Sequence, residues 1–358
     1  MKVVQIVTNL SYGDAIGNDV LALHNMLAQA GYDSRIMAMT IHEKLAGRAE
    51  PVDFSRFEQE DLAIFHKATG DSFPGFAARL KCRKAVIYHN ITPAKYFLAY
   101  DEVMAWNLWR GRRQLKQLAK CVDWGWGDSR YNCQELIAAG FDPDRVDVLP
   151  IPFTAGTGAE RGPRPDRPVG ADLLFIGRIA SNKKQEDVIK VFYCYLRDVD
   201  PKATLTLVGS WTGFEKYYAK LKGFAADLGL TDEQVVFTGH VTDEEKRRYL
   251  ERADAFVCMS EHEGFCVPLL EAIDRDIPVA AFAAAAVPET LGDNGLLFRE
   301  KDYAKIAADI GRVLREGALR AEVLRKQRES LRRFDLEATR RKLLELVARA
   351  TEGGVKRG

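Results

Sequence analysis

The 358-residue sequence predicts an α/β chain of two Rossmann-like domains, each built on a parallel sheet. Three observations carry this. Short apolar runs alternate with amphipathic helical stretches along most of the chain, the pattern of repeated βα units. The alternation breaks once, at residues 154–168 (TAGTGAERGPRPDRP), a stretch rich in Gly, Pro and Arg with no apolar periodicity, and then restarts. The length exceeds one typical core and suits two of ordinary size. The expected boundaries are 1–153 for the first domain, 154–168 for a linker, 169–334 for the second domain and 335–358 for a terminal helix.

In the first domain, Val3 to Val7 reads as the opening strand and Asn9 to Asn18 as the turn after it. A helical pattern through Val20, Leu23, Met26 and Leu27 follows and stops at Gly31. Gly13 and Gly17 do not fit GxGxxG, so the dinucleotide fingerprint is missing. Ser34 to Met39, Leu62 to Phe65 and Ala85 to Tyr88 are the next strands, the last ending in His89. A His at the carboxyl end of such a strand faces the ligand side of an open α/β sheet, although a lone His is more often structural. His66 is a weaker candidate of the same kind. Residues 101–120 read as a helix in which Trp106 and Trp109 interleave with Arg110, Arg112, Arg113, Lys116 and Lys120. Two readings stand side by side: a helix lying on a membrane surface, or a solvated face with the tryptophans packed inward. Cys121 to Gly127 and Val146 to Leu149, with a helix from Ser129 to Ala139 between them, complete the sheet.

In the second domain the strands fall at Asp172 to Ile176, Ala203 to Val208, Val235 to Phe237, Ala255 to Met259 and Val279 to Phe282. Beyond Ala304 the chain reads as mostly helical. The stretch from Ala255 to Phe282 carries the most chemistry. After the strand comes a polar turn with Glu263 and Gly264; Pro268 then opens a helix, with Glu271 expected in its first turn. Neither Cys266 nor Val267 caps a helix well, so the first backbone amides are left for an anion. An acidic residue near a helix start is also an ordinary dipole partner. At the end of the first strand, Gly177-Arg178 and then Ser181 to Lys184 (SNKK) offer a guanidinium fork and mobile ammonium charges for phosphate. The alternative is a solvated basic turn.

Composition narrows the function. A net charge of +1 argues against general nucleic-acid binding. The six cysteines form no CxxC pair and no framework spacing, which points to a reducing compartment and no structural metal. The apolar run at the start of the sequence is too short for a signal peptide, and no segment approaches the ~20 apolar residues that span a bilayer. The expectation is a cytoplasmic protein, at most seated on the inner face of a membrane.

The motif S-x-x-E-G-F-x-x-P-x-x-E-A over Ser260 to Ala272, followed by Pro278-Val279, resembles the E-x7-E nucleotide-sugar signature of the retaining glycosyltransferases of family 4. G-R-x-x-x-x-K over Gly177 to Lys183 resembles their diphosphate motif. The sequence departs from those patterns where Lys184, Cys266 and Asp276 replace the usual glycines. The resemblance implies the GT-B fold, with the two sheets facing across a cleft and the last helix crossing back to the first domain. It implies a hexosyltransferase without metal or cofactor. The donor is a GDP- or UDP-sugar and the acceptor a saccharide or lipid-linked saccharide, in cell-surface polysaccharide or glycoconjugate synthesis. Glu263, Arg178, Lys183 and His89 become the catalytic candidates. Gly13, Asp14, Gly177, Arg178, Lys183, Glu263, Gly264, Phe265, Cys266 and Glu271 become the donor-binding set, with Glu271 on the ribose and Glu263 on the sugar. Asp274-Arg275-Asp276 reads as D-x-D but falls at the far end of its helix, away from the site. A nucleotide-sugar 2-epimerase of the same fold and a non-catalytic nucleotide-sugar-binding protein are the competing readings.

Overall fold

Apolar runs covered on both faces become the parallel strands, because a parallel strand buried on both sides needs no polar alternation. The computed structural model describes residues 1–59, 61–154, 170–292 and 296–352; the expected linker, Thr154 apart, lies outside them. The chain divides into two units.

The first unit comprises Met1–Ala94, Val103–Phe153 and Phe334–Gly358. Its strands are β1 (Lys2–Leu10), β2 (Asp33–Ile41), β3 (Glu50–Pro51), β4 (Leu62–Lys67), β5 (Arg83–Tyr88), β6 (Trp124–Gly127) and β7 (Val146–Val148). They pair in parallel in the order β3-β2-β1-β4-β5-β6-β7. Cys121 to Asp123, expected in β6, instead form the turn that ends the preceding helix, Glu102–Leu118: the amides of Cys121 and Val122 both donate to the Leu118 carbonyl. That helix buries Ala105, Leu108, Gly111, Leu115 and Leu118. Trp106 and Trp109 stack on each other at 4.6 Å on the opposite side and are 61% and 41% exposed, so the inward-packed reading is corrected. The last helix, Leu336–Glu352, buries Leu343, Leu346, Val347 and Ala350 in one cluster with Val3, Leu23, Leu27 and Trp126 of this unit.

The second unit comprises Lys95–Glu102 and Thr154–Arg333. Its strands are β8 (Asp172–Ile176), β9 (Thr204–Val208), β10 (Val235–Gly239), β11 (Ala255–Cys258), β12 (Val279–Phe282) and β13 (Leu297–Phe298). They pair in parallel in the order β10-β9-β8-β11-β12-β13. Two clusters cover the sheet. One is built on Phe175, Phe192, Leu207 and Val257, the other on Leu174, Phe256, Leu269 and Ile273. Residues 95–102 join this unit through aromatic contacts, Phe97 on Phe214 at 5.5 Å and Tyr100 on Tyr217 at 5.2 Å. No helix of the described residues is long and apolar enough to cross a membrane.

Candidate functional site

In both units the strand order reverses beside the first strand, and open α/β sheets bind ligands at the carboxyl ends of the strands flanking that point. In the second unit these are β8 and β11, which deliver the two motifs to neighbouring positions. Gly177 and Arg178 follow β8 directly. The chain passes close to itself there: a Cβ on Gly209 would lie 2.1 Å from the Gly177 carbonyl oxygen, which makes glycine obligatory at 209. Arg178 is exposed, with its guanidinium 5.4 Å from the Phe214 ring. Ser181–Lys183 forms a single 3-10 turn. That turn is laced to the loop after β11: the Asn182 side chain donates to the His262 carbonyl at 3.0 Å, and the Glu261 amide donates to the Asn182 carbonyl at 2.9 Å.

The consequence is an ion pair that joins the two motifs. Lys183 Nζ lies 2.5 Å from Glu263 Oε2, and the Glu263 side chain is 6% exposed. Burial works against the Lys183 charge, but the carboxylate beside it outweighs burial and holds its pKa above the ordinary lysine value. Lys184, by contrast, points to Glu186 and Glu261 at 3.5 and 3.8 Å. Lys183 is thus the lysine of the pair that reaches the Glu263 loop.

The helix after this loop runs Val267–Asp274, and its N-cap Cys266 makes no side-chain bond to the first-turn amides. Glu271 is the fifth residue of that helix and so lies in the second turn, a correction to its expected place in the first; Pro268 and Val267 both sit inside the helix start. Lys246 Nζ holds Glu271 at 2.8 Å. Phe265 is buried, and its carbonyl accepts from the Thr290 hydroxyl at 2.5 Å, which ties the loop to the helix at Val287–Leu291. Cys266 (φ 77), Lys184 (φ 54) and Asp276 (φ 56), the three residues standing where the resembled pattern has glycine, all keep a left-handed backbone. Gly264 has no positive φ, and the loop turns on Cys266 instead.

In the first unit, Gly13 (φ 79) turns the chain after β1, and Asp14 caps the helix Ala15–Gln29 by accepting from the Gly17 amide. At the strand ends of β4 and β5 a buried chain of bonds runs through residues that sequence reasoning treated singly or passed over. The Gln5 side-chain amide donates to the Val20 carbonyl at 3.1 Å, which leaves its oxygen to accept from His66 Nε2–H at 2.9 Å. His66 Nδ1 must then accept, so the 2.8 Å contact comes from His89 Nε2–H. His89 Nδ1 faces Asp128 Oδ2 at 3.1 Å, and Asp19 Oδ2 is 3.9 Å from His89 Nε2. Both His89 nitrogens therefore donate, and the ring is an imidazolium. Its side chain is only 3% exposed, so a ligand gains a His89 nitrogen only by breaking this chain. Two histidines on adjacent strand ends were the visible signal; Gln5, Asp19 and Asp128 left none.

This network makes stability depend on pH. Burial opposes the His89 charge, but Asp128 and then Asp19 hold its pKa above the ordinary value. Burial pushes Asp19 up to about 7. Both groups are raised, so the stability they contribute is lost as pH rises through their folded values. Burial and His89 hold His66 well below 6.5, so its contribution is lost in the opposite direction, as pH falls from 6.5. The melting temperature of the full chain is expected to fall as pH rises above 6.5, and His89→Gln is expected to flatten that limb. An unchanged slope in this variant would show that the imidazolium is not its source.

The sheet order and the strand-end motifs define the GT-B type of α/β architecture. Residues 165–330, most of the second unit, match the model of the family of glycosyl transferases group 1. Among solved structures, Anabaena HepE in complex with UDP and glucose aligns with 97% of this chain and 99% of its own at a TM-score of 0.73 and 16% identity. Sucrose-phosphate synthase from Thermosynechococcus elongatus aligns with 99% of this chain and 100% of its own at a TM-score of 0.75 and 17% identity. These likenesses are of fold, and the fold is GT-B. In sequence, the chain is 33% identical over 189 residues to a D-inositol 3-phosphate glycosyltransferase of Frankia alni, covering 49% of this chain and 46% of the relative. It is 25% identical over 147 residues to O-antigen chain mannosyltransferase B of Escherichia coli, covering 41% and 38%. The chain spans about half the length, or less, of the curated relatives it matches.

Proposed function

We propose that the chain is a retaining hexosyltransferase that moves a sugar from a nucleoside diphosphate donor to a saccharide or lipid-linked saccharide, in the synthesis of a cell-surface polysaccharide or glycoconjugate. The observation that carries this is the Lys183–Glu263 pair, which joins the turn after β8, where Arg178 also lies, to a loop whose helix start has no side-chain cap, at the strand-order reversal of the second unit. Breaking a sugar–phosphate bond places charge on the departing diphosphate. Arg178, Lys183 and the backbone amides before Pro268 meet that charge without a metal. When donor enters, Lys183 turns from Glu263 to the phosphates, and the freed carboxylate accepts from sugar hydroxyls. Gly177, Gly264, Phe265 and Cys266 shape the backbone around the donor; Gly13 and Asp14 are donor-binding candidates on the resemblance alone. His89 acts through its fixed charge. HepE is held in complex with UDP and glucose, which supports a nucleotide-sugar donor here. Incubation of the purified chain with UDP- and GDP-sugars, with nucleoside diphosphate release as readout, tests the reading and names the base. A product sugar epimerised without transfer points to the epimerase. Binding without turnover across donors and saccharide acceptors points to a non-catalytic protein.

The two carboxylates separate by ligand. Glu271→Ala is expected to weaken free nucleoside diphosphate and full donor alike, by about 1.5–3 kcal/mol, or roughly one to two decades. Glu263→Ala is expected to spare the free nucleotide, because it releases Lys183 to the phosphates. Calorimetric titration of both variants resolves the difference, and the reverse ranking would exchange the roles.

The same reading seats the helix Glu102–Leu118 on the inner face of an anionic membrane. Trp106 and Trp109 project outward, with Arg110, Arg113 and Lys116 also exposed. Trp106→Ser/Trp109→Ser is expected to abolish co-sedimentation with phosphatidylglycerol vesicles. Equal sedimentation of parent and variant would remove the membrane from the proposal.

A further inference from the structure

We propose that Cys258, Cys266 and Glu263 form a site for a thiophilic divalent cation such as zinc. One ligand atom from each, two thiol sulfurs and a carboxylate oxygen, lie within 4.8 Å of one another. Tetrahedral zinc holds such atoms roughly 3.5–3.8 Å apart, so only a small closure is required. Both cysteines are free thiols. Cys258 ends β11 and is 1% exposed, which makes it a fixed donor.

Cys266 is the unusual member. It occupies a left-handed position (φ 77, ψ 64), where glycine is the easy choice. The two other such departures have evident compensation, Lys184 in Glu186 and Glu261 and Asp276 in Arg328. Cys266 instead stands beside the Cys258 thiol and the Glu263 carboxylate. What its backbone conformation achieves is to bring a second thiol to Cys258 and Glu263. Backbone strain of this sort gathers at functional sites.

The electrostatics also fit. Binding exchanges up to two thiol protons for one divalent ion. Glu263 leaves Lys183 for the metal. Two thiolates, one carboxylate, the divalent ion and the Lys183 ammonium then sum to zero charge. The three donors leave the fourth tetrahedral position to water.

Occupation of this site takes Glu263 from the donor sugar, so on the proposed transferase reading zinc is an inhibitor. The test uses binding alone and needs no donor, so the two proposals fail separately. The full chain, fully reduced, is titrated with zinc by calorimetry and with cobalt(II) by absorbance. The expected results are a thiolate-to-cobalt charge-transfer band and tetrahedral d–d bands. Cys266→Gly removes one ligand and supplies the residue that best suits a left-handed backbone. Cys258→Ala removes the other thiol. Each is expected to abolish the charge-transfer band and to weaken zinc by more than about tenfold. Zinc affinity unchanged in both variants, cobalt bound without a thiolate band, or no zinc binding by the parent chain overturns the proposal.

Discussion

Removing Lys183 is expected to lower turnover and stability together, and the two effects can be pulled apart. In the transition state Lys183→Ala takes away charge stabilisation of about 3 kcal/mol, a drop of roughly two to three decades in rate. In the resting protein it strands Glu263, which is 6% exposed. Truncating one partner of a buried pair costs up to about 3–5 kcal/mol, less here because the Lys183 side chain is 23% exposed. Lys183→Met/Glu263→Gln removes both charges and should recover most of the stability but none of the rate. Arg178→Ala gives the cleaner kinetic result: the residue is exposed, so the rate should fall by a similar factor with little change in melting temperature. Near-normal turnover in Arg178→Ala and Lys183→Ala would sink the phosphate assignment.

Asp71→Ala is expected to destabilise the first unit by about 3–5 kcal/mol, because it leaves an ammonium buried without its counter-charge. Lys67, the last residue of β4, is wholly buried, and its Nζ lies 2.8 Å from Asp71 Oδ2. Gln114 closes the arrangement: its carbonyl oxygen accepts from Lys67 Nζ at 2.6 Å and from the Asp71 amide at 3.1 Å. Lys67→Met/Asp71→Leu, which removes both charges and keeps apolar volume, should lose far less than either single truncation. Urea denaturation of the full chain measures all three variants. A loss below about 1 kcal/mol in Asp71→Ala would mean that water reaches the ammonium.

Most strands were legible because their burial is two-sided. Asp172–Ile176 and Val279–Phe282 coincide with their expected bounds, since a strand covered by helices on both faces carries a near-continuous apolar run. β3 and β13 hold two residues each and offer no period to read. Trp106 and Trp109 were undecided because a helix with apolar residues on two sides has two candidate inner faces. Only the packing of Leu108, Leu115 and Leu118 chose between them.

For the site, the linear pattern determined which side chains are available: a guanidinium and an ammonium after one strand, and carboxylates around a helix start after another. Residue chemistry and spacing along the chain suffice for that. The tertiary structure alone decided how they are spent. Lys183 and Glu263, 80 positions apart, meet because β8 and β11 are sheet neighbours. His89 became a buried imidazolium because Gln5, on a strand far away in sequence, fixes the tautomer of His66. Cys266 faces Cys258 because its backbone turned left-handed where a side chain is rarely tolerated. Each outcome depends on a partner brought in by strand order, and strand order lies in the fold rather than in any local stretch of sequence.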